Sequence, residues 1–353
     1  MKLTHHVLEV VPRHVFRTAR NTSASSEIVV VELASGDLTG LGEAAPSRFY
    51  GEDAGTVIDW LEHMRPAVED CLHESELMAL LTSHGGTDHP SARASLEIAA
   101  HDMLGRRLGV PLYEYFELDP ARTPTTTVSI GLDEPDEMVR KALEVAGFPL
   151  LKIKLSSTTG TEVVRRIREE TGADVTVDAN CGWSREEAVE RAAELSEIGV
   201  LFIEQPVAAD DVEGLAHVRE RSGVPVYADE SCPTSAELER VSGAVDGIVI
   251  KLMKCGGLIE AVRMARTARE RGLGTMIGCM LESSLALTAA AHISPLVDYA
   301  DLDSGFLLRE DPFVGMTIDH GTMRLPGGPG LGVTARTGGS YTTGVDRGDD
   351  AAS

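Results

Sequence analysis

The sequence predicts a closed (β/α)8 barrel, the TIM-barrel fold class, joined to a smaller α+β domain. Three observations point to it. From about residue 126 onward, short β-rich runs alternate with helical stretches rich in Arg, Glu and Ala. The runs recur roughly every 25 residues, the length of one strand–loop–helix–loop unit. Most of them end on a polar or charged residue, as strands do when their C-terminal ends open on one shared mouth.

In chain order, residues 1–60 read as strands and turns. The β-branched run Ile28–Val31 leads into the turn Ala34-Ser35-Gly36-Asp37, and Leu38–Gly42 opens the next strand, which makes a small antiparallel sheet. From about 53 to 110 the period becomes helical, with Ala92, Leu96, Ala99, Ala100, Met103 and Leu104 at three- and four-residue spacing and Gly109 as a stop. Asp119–Pro124, with two prolines and no periodicity, reads as a linker, so the first domain is expected over 1–122 and the barrel from 123. Eight runs follow, at Thr126–Ile130, Leu150–Leu155, Val175–Asp178, Leu201–Glu204, Val224–Ala228, Gly247–Lys251, Gly274–Ile277 and Tyr299–Leu302. An open doubly wound sheet shares the alternation, but eight even units favour closure. The Gly/Ser/Thr/Asp-rich tail from about 338 reads as frayed.

The chain has 353 residues, 42% hydrophobic and 25% charged, with a formal net charge of −24. Nucleic acid and anionic membrane surfaces would be repelled, and no apolar run approaches the ~18 residues of a membrane span. Five scattered cysteines and a start without a signal-type apolar stretch make a reduced cytoplasmic protein the expectation. The expected partners are a small molecule, a metal ion and further copies of the chain in a homo-oligomer.

Only six of the 32 basic residues are lysines, at 2, 141, 152, 154, 251 and 254. Where arginine supplies nearly all the positive charge, a lysine at a strand end points to a group that must give up and take back a proton. Lys152 and Lys154 stand two apart on one strand, so both face the mouth, where mutual repulsion is expected to make a neutral amine accessible. Lys251 ends the sixth run, opposite the second in a ring of eight. Between them Asp178, Glu204 and Asp229 end three successive runs, and three converging carboxylates call for a hard divalent cation. Mg²⁺ fits, since no His or Cys ends these strands. A metal between two opposed lysines suits removal of a proton beside a carboxylate on one face and its return on the other, through an enediolate. Barrel-lining salt bridges are the alternative. Lys254, with Gly256 and Gly257, is expected to belong to the following turn.

The set L-K-I-K-L, V-D-A-N, F-I-E-Q-P, A-D-E-S and I-K-L-M-K-C-G-G, in this order and spacing, resembles the muconate-lactonizing subgroup of the enolase superfamily over about residues 10–330. The resemblance implies a barrel over 123–314, capped by the N-terminal region together with a C-terminal segment, 315–353. It also implies one Mg²⁺ per subunit on Asp178, Glu204 and Asp229, and Lys154 with Lys251 as the acid/base pair. Lys152 is expected at the substrate, and Asn180 and Glu230, beside the ligands, are expected to support them. The eighth run ends Asp301-Leu302-Asp303, which resembles the signature of the dipeptide epimerases, where such a pair holds the free amino terminus. That argues against N-acylamino-acid racemases and o-succinylbenzoate synthases, whose substrates lack the ammonium. Some Ala-Glu epimerases carry R-G-S-R in an early capping loop; here Arg20-Asn21-Thr22-Ser23 keeps Arg20 as a substrate contact but not the second arginine, leaving the preference between acidic and neutral side chains open. Phe49–Glu52 and Gly278–Glu282 are expected to border the pocket, with Met280 as a contact. The expected activity is Mg²⁺-dependent epimerisation of a dipeptide at the α-carbon of its C-terminal residue. A cycloisomerase or racemase of the same superfamily, a Schiff-base aldolase and an inactive metal-binding scaffold are the competing readings.

Overall fold

The computed structural model describes residues 1–19, 22–83 and 88–337. Eight strands, Val128–Ile130, Leu150–Lys154, Asp174–Asp178, Ile203–Glu204, Val226–Ala228, Gly247–Lys251, Gly274–Gly278 and Tyr299–Asp301, pair in sequence order and all in parallel. The ring closes through a parallel bridge between Thr126 and Ala300, where Thr127 N–H donates to Ala300 O at 2.9 Å. The expected runs are therefore the barrel strands, some of them shorter. The fifth begins only at Val226 because Pro225 has no N–H to give a ladder. Every residue of Leu150–Lys154 and Gly247–Lys251 is buried, as both faces of a barrel strand must be.

Phe202, Tyr227, Val249 and Met276 form a separate buried cluster, walled by Leu201 and Tyr299, that fills the barrel floor. The Phe202 and Tyr227 rings stack at 4.1 Å. Tyr227 lies across Gly247 and Gly274, where a Cβ would come within 2.4 and 2.1 Å of its side chain, so only glycine admits the ring.

The N-terminal domain is an antiparallel sheet of Lys2–Val10, Ser26–Ser35 and Leu38–Ala44, covered by helices Ala54–Asp70, Glu74–Ser83 and Pro90–Leu108. The turn expected at Ala34–Asp37 is present. The first strand was not separable from its surroundings by pattern, since His5 and His6 interrupt its alternation and only Leu3 and Val10 are deeply buried. The C-terminal segment turns back to the helix Pro90–Leu108: Leu331 N–H donates to Asp102 Oδ1 at 2.8 Å and Gly330 N–H to Val110 O at 2.9 Å. Its hairpin, Thr317–Asp319 with Thr322–Arg324, packs below the first barrel strand through Thr126 N–H on Gly321 O. No described helix is long and apolar enough to cross a membrane. The frayed tail expected from 338 lies outside the described residues.

Candidate active site

The parallel register sets Lys154 beside Asp178 and Asp178 beside Glu204, so these side chains share one layer of the mouth. Lys154 Nζ donates to Asp178 Oδ2 at 2.5 Å. Lys152, 1% exposed, stands one layer deeper, with its Nζ 2.7 Å from Glu204 Oε2, 2.7 Å from Asp301 Oδ2 and 3.5 Å from Asp178 Oδ2. On the opposite wall Lys251 Nζ donates to Asp229 Oδ2 at 2.7 Å. The two lysines expected to act as a pair thus lie on strands two and six of a ring of eight, with the three acids between them.

Lys254 does not belong merely to the next turn. Its buried ammonium donates to Asp229 O at 2.6 Å, Asp229 Oδ1 at 2.8 Å and Val249 O at 2.7 Å. The last is possible because the strand breaks into the short helix Leu252–Cys255, which folds the side chain back under its own strand end. The scarcity of lysine was the signal that should have included it. Gln205 was likewise unread: fully buried, it accepts from Asp229 N–H at 3.0 Å and Ser231 N–H at 3.1 Å, tying the turns after the fourth and fifth strands together. The turns after the third and fourth strands are tight. Asn180, Cys181 and Gln205 all have positive φ, and the Asn180 conformation is held by its own N–H on Asp178 Oδ1 at 2.8 Å.

Burial raises a carboxylic acid and depresses an ammonium, and here the ion pairs decide which way each group moves. At Asp178 burial is outweighed by Lys154 and Lys152, which bring it down to about 2. Asp229 falls well below the usual range because Lys251 and Lys254 overcome its burial. Glu204 goes the other way, to about 8, pushed by burial and by Asp178 beyond what Lys152 offsets. The lowering expected for Lys152 does not hold. Burial would depress Lys152 and Lys251, but Asp301, Glu204 and Asp178 around the first, and Asp229 and Glu204 around the second, raise both.

The donor set suits a hard divalent cation. Both Glu204 carboxylate oxygens are buried without a hydrogen-bond donor, since Lys152 approaches one of them outside hydrogen-bonding geometry, and of the three acids Glu204 is the one least able to ionise without added positive charge. Among the described residues no three such side chains already surround one point, because Asp178 and Asp229 are turned toward their lysines. Asn180 supports Asp178 through Nδ2 at 3.1 Å, and Glu230 is buried beside Asp229.

Asp301 and Asp303 both reach the site, but not by strand alternation. The strand stops at Asp301, and Asp303 already has helical backbone at the head of the short helix Ser304–Leu307. Asp301 is taken by the protein's own groups, Lys152 Nζ at 2.7 Å and Thr127 Oγ at 2.6 Å. Asp303 accepts from Ser129 N–H at 2.5 Å, and burial followed by repulsion from Asp301 pushes it up to about 7. Met280 is half-buried on the loop after the seventh strand, its N–H donating to Glu282 Oε1 at 2.8 Å. Glu282, the last residue of the segment expected to border the pocket, is buried and raised to about 7 chiefly by burial. Arg20 lies outside the described residues.

Comparison with known proteins gives two family matches, to the mandelate racemase / muconate lactonizing enzyme N-terminal domain over residues 2–116 and to the enolase C-terminal domain-like model over 136–338. Among similar proteins, the L-Ala-D/L-Glu epimerase of Bacteroides thetaiotaomicron is 37% identical, over 94% of this chain and 88% of that protein. The hydrophobic dipeptide epimerase of Roseobacter litoralis is 35% identical, over 94% and 98%. The crystal structure of a dipeptide epimerase from Enterococcus faecalis, complexed with Mg and L-Leu-L-Tyr, superposes with a TM-score of 0.87 at 31% identity, over 94% of this chain and 99% of that one.

Proposed function

The chain belongs to the mandelate racemase / muconate lactonizing enzyme family of enolase-like proteins, and from that premise we propose that it is an isomerase that epimerises dipeptides at the α-carbon of the C-terminal residue. The observation that carries the reading is the pair of lysines on opposite barrel walls, each held by a different member of one row of buried acids. Asp178, Glu204 and Asp229 would hold one Mg²⁺ per subunit. When bound, Mg²⁺ supplies positive charge that lowers the cost of the negative charge left as the α-proton departs.

The protein's own groups do the rest. Lys154 Nζ takes the α-proton of one epimer while Lys251 Nζ returns a proton to the other face, and the reverse turnover exchanges their roles. One lysine must therefore start neutral and the other protonated. Asp178 and Asp229, their hydrogen-bond partners, fix where each Nζ sits. Lys152 bridges Glu204 and Asp301, which keeps the acid row and the eighth strand in one cluster. Since Asp301 already has a cation, Asp303 is the carboxyl left to meet a substrate ammonium, and such a partner would draw it back into the ionised form. Arg20 and Met280 are assigned as further substrate contacts, the N-terminal region and the C-terminal segment over 315–337 form the cap, and the protein works as a cytoplasmic homo-oligomer.

The test is incubation of a dipeptide library with Mg²⁺ in ²H₂O, followed by mass spectrometry. Deuterium at the C-terminal α-carbon of free dipeptides is the expected result. Exchange confined to N-acetyl or N-succinyl amino acids would reassign the activity to an acylamino-acid racemase.

A further inference from the structure

The cap does not touch the two lysine walls in the same way. Glu97, on the cap helix Pro90–Leu108, is 1% exposed and reaches the start of the barrel helix Leu258–Glu270, where its Oε1 accepts from Ile259 N–H at 2.7 Å. Gly257 makes room for it: a Cβ there would lie 2.5 Å from the carboxylate carbon. Glu43, on the cap strand Leu38–Ala44 and fully buried, does the same one unit later. It accepts from Ser283 N–H at 2.9 Å and from Ser283 Oγ, at the cap of helix Ser284–Ile293. Between them Ala45 N–H meets Met253 Sδ at 3.3 Å. All three contacts fall on the segments that follow strands six and seven. The first begins directly after Lys251 and carries Lys254, and the second carries Met280 and Glu282.

The N-terminal region also reaches the segment after the first strand, where Leu132 N–H donates to Arg17 O at 2.9 Å and Arg17 pairs with Asp133 at 3.1 Å. The loop after the second strand, which follows Lys154, is instead tied within the barrel. Arg191 donates to Thr159 O at 2.7 Å and to Ser157 O, and Thr161 Oγ meets Glu194. A buried carboxyl oxygen that accepts from backbone N–H groups at a helix start satisfies donors that have no intrahelical partner, and leaving such donors unmet costs more than the bond itself gains, so each contact is a firm anchor.

We propose that Glu97 and Glu43 are positioning residues for the Lys251 wall, so that proton transfer on the Lys251 face depends on these two anchors while transfer on the Lys154 face does not. This rests on the two-lysine reading above. A displacement of about 1 Å at a reacting group costs on the order of 100-fold in rate, so loss of an anchor should be visible on one face alone.

The experiment uses the full-length protein with Mg²⁺ and a dipeptide found to be turned over, and follows α-proton exchange from each epimer separately in ²H₂O. Lys154→Ala and Lys251→Ala first assign which epimer each lysine serves. Glu97→Leu, which removes the acceptor, should lower exchange of the Lys251 epimer by on the order of 10- to 100-fold and leave that of the Lys154 epimer within about 2-fold. Glu97→Gln, which keeps an oxygen for Ile259 N–H, should restore most of it. Ser283→Ala, which removes the hydroxyl donor to Glu43, provides the same readout if Glu97→Leu does not fold. Equal loss on both faces would mark a purely structural role and overturn the proposal, as would no loss on either face. A parent enzyme that exchanges only one epimer would instead overturn the two-lysine reading itself.

Discussion

Replacing Lys254 by methionine tests the assignment that departs furthest from the sequence expectation. Methionine nearly matches the lysine stem in shape, so the change removes the ammonium and little else. Three acceptors lose their donor: Asp229 O, Asp229 Oδ1 and Val249 O. Asp229 keeps Lys251 at 2.7 Å, so its charge is not stranded, but half of its compensation is gone. Removing one side of a buried ion pair costs about 3–5 kcal/mol, unlike replacing both sides by apolar groups, which is often neutral. At roughly 2.1 cal/mol/K of unfolding entropy per residue, a chain of 353 residues converts that into a Tm lower by about 4–7 °C. The assay is a thermal melt of the metal-free protein by circular dichroism, with turnover measured in parallel at a temperature where the variant is folded. Turnover should fall as well, because Asp229 loses the contact that fixes both its carboxylate and its carbonyl. A Tm within about 1 °C of the parent with unchanged turnover would refute the role given to Lys254.

Asp178→Asn, Glu204→Gln and Asp229→Asn should each abolish turnover, and EDTA should do so reversibly; full activity in metal-free buffer would remove the metal from the reading. N-acetylation of a good dipeptide should cost about 2–5 kcal/mol in kcat/KM, a loss of roughly 30-fold to several thousand-fold. Asp303→Asn should weaken the free dipeptide and leave the acetylated one almost unaffected, and equal effects on both would contradict the ammonium contact. The metal-free protein should lose stability as pH rises from about 4.5 to 7. Glu97, Glu282 and Asp303 are raised to about 7 in the folded state, so the native chain holds protons that the unfolded chain gives up first. Their stabilisation is complete below the ordinary carboxylate range and lost on passing through 7; Glu97→Gln should flatten part of that slope in urea melts, and an unchanged slope would count against it.

The acid row and the opposed lysines were legible because parallel strands of equal period place their ends at one mouth, so spacing alone carried the geometry. Lys152 and Lys154 fall on one face for the same reason. What was not legible depends on chain ends meeting in space. Gln205 reads as an ordinary polar residue until the turn holding Asp229 is seen beside it. Asp303 reaches the site through helical backbone where the pattern suggested continued strand. The direction expected for Lys152 also failed: sequence proximity emphasised the neighbouring ammonium, while Asp301 and Glu204, from other strands and each 2.7 Å away, raise it. Glu43 and Glu97 look like unremarkable acids in an acidic chain because their partners lie 240 and 162 residues away.

The aromatic floor has a kinetic consequence. With Phe202 and Tyr227 stacked across the base and two glycines letting the ring seat fully, the lysine ammonium groups have the mouth, not the floor, as their route to bulk solvent. Protons on Nζ must then wash out by the same passage that admits a ligand. A hydrogen lifted from one face stays on its lysine for as long as that passage is blocked, and it is available for internal return. The fraction of label carried back into recovered starting material therefore acts as a clock, set by how often the mouth opens relative to the chemical step.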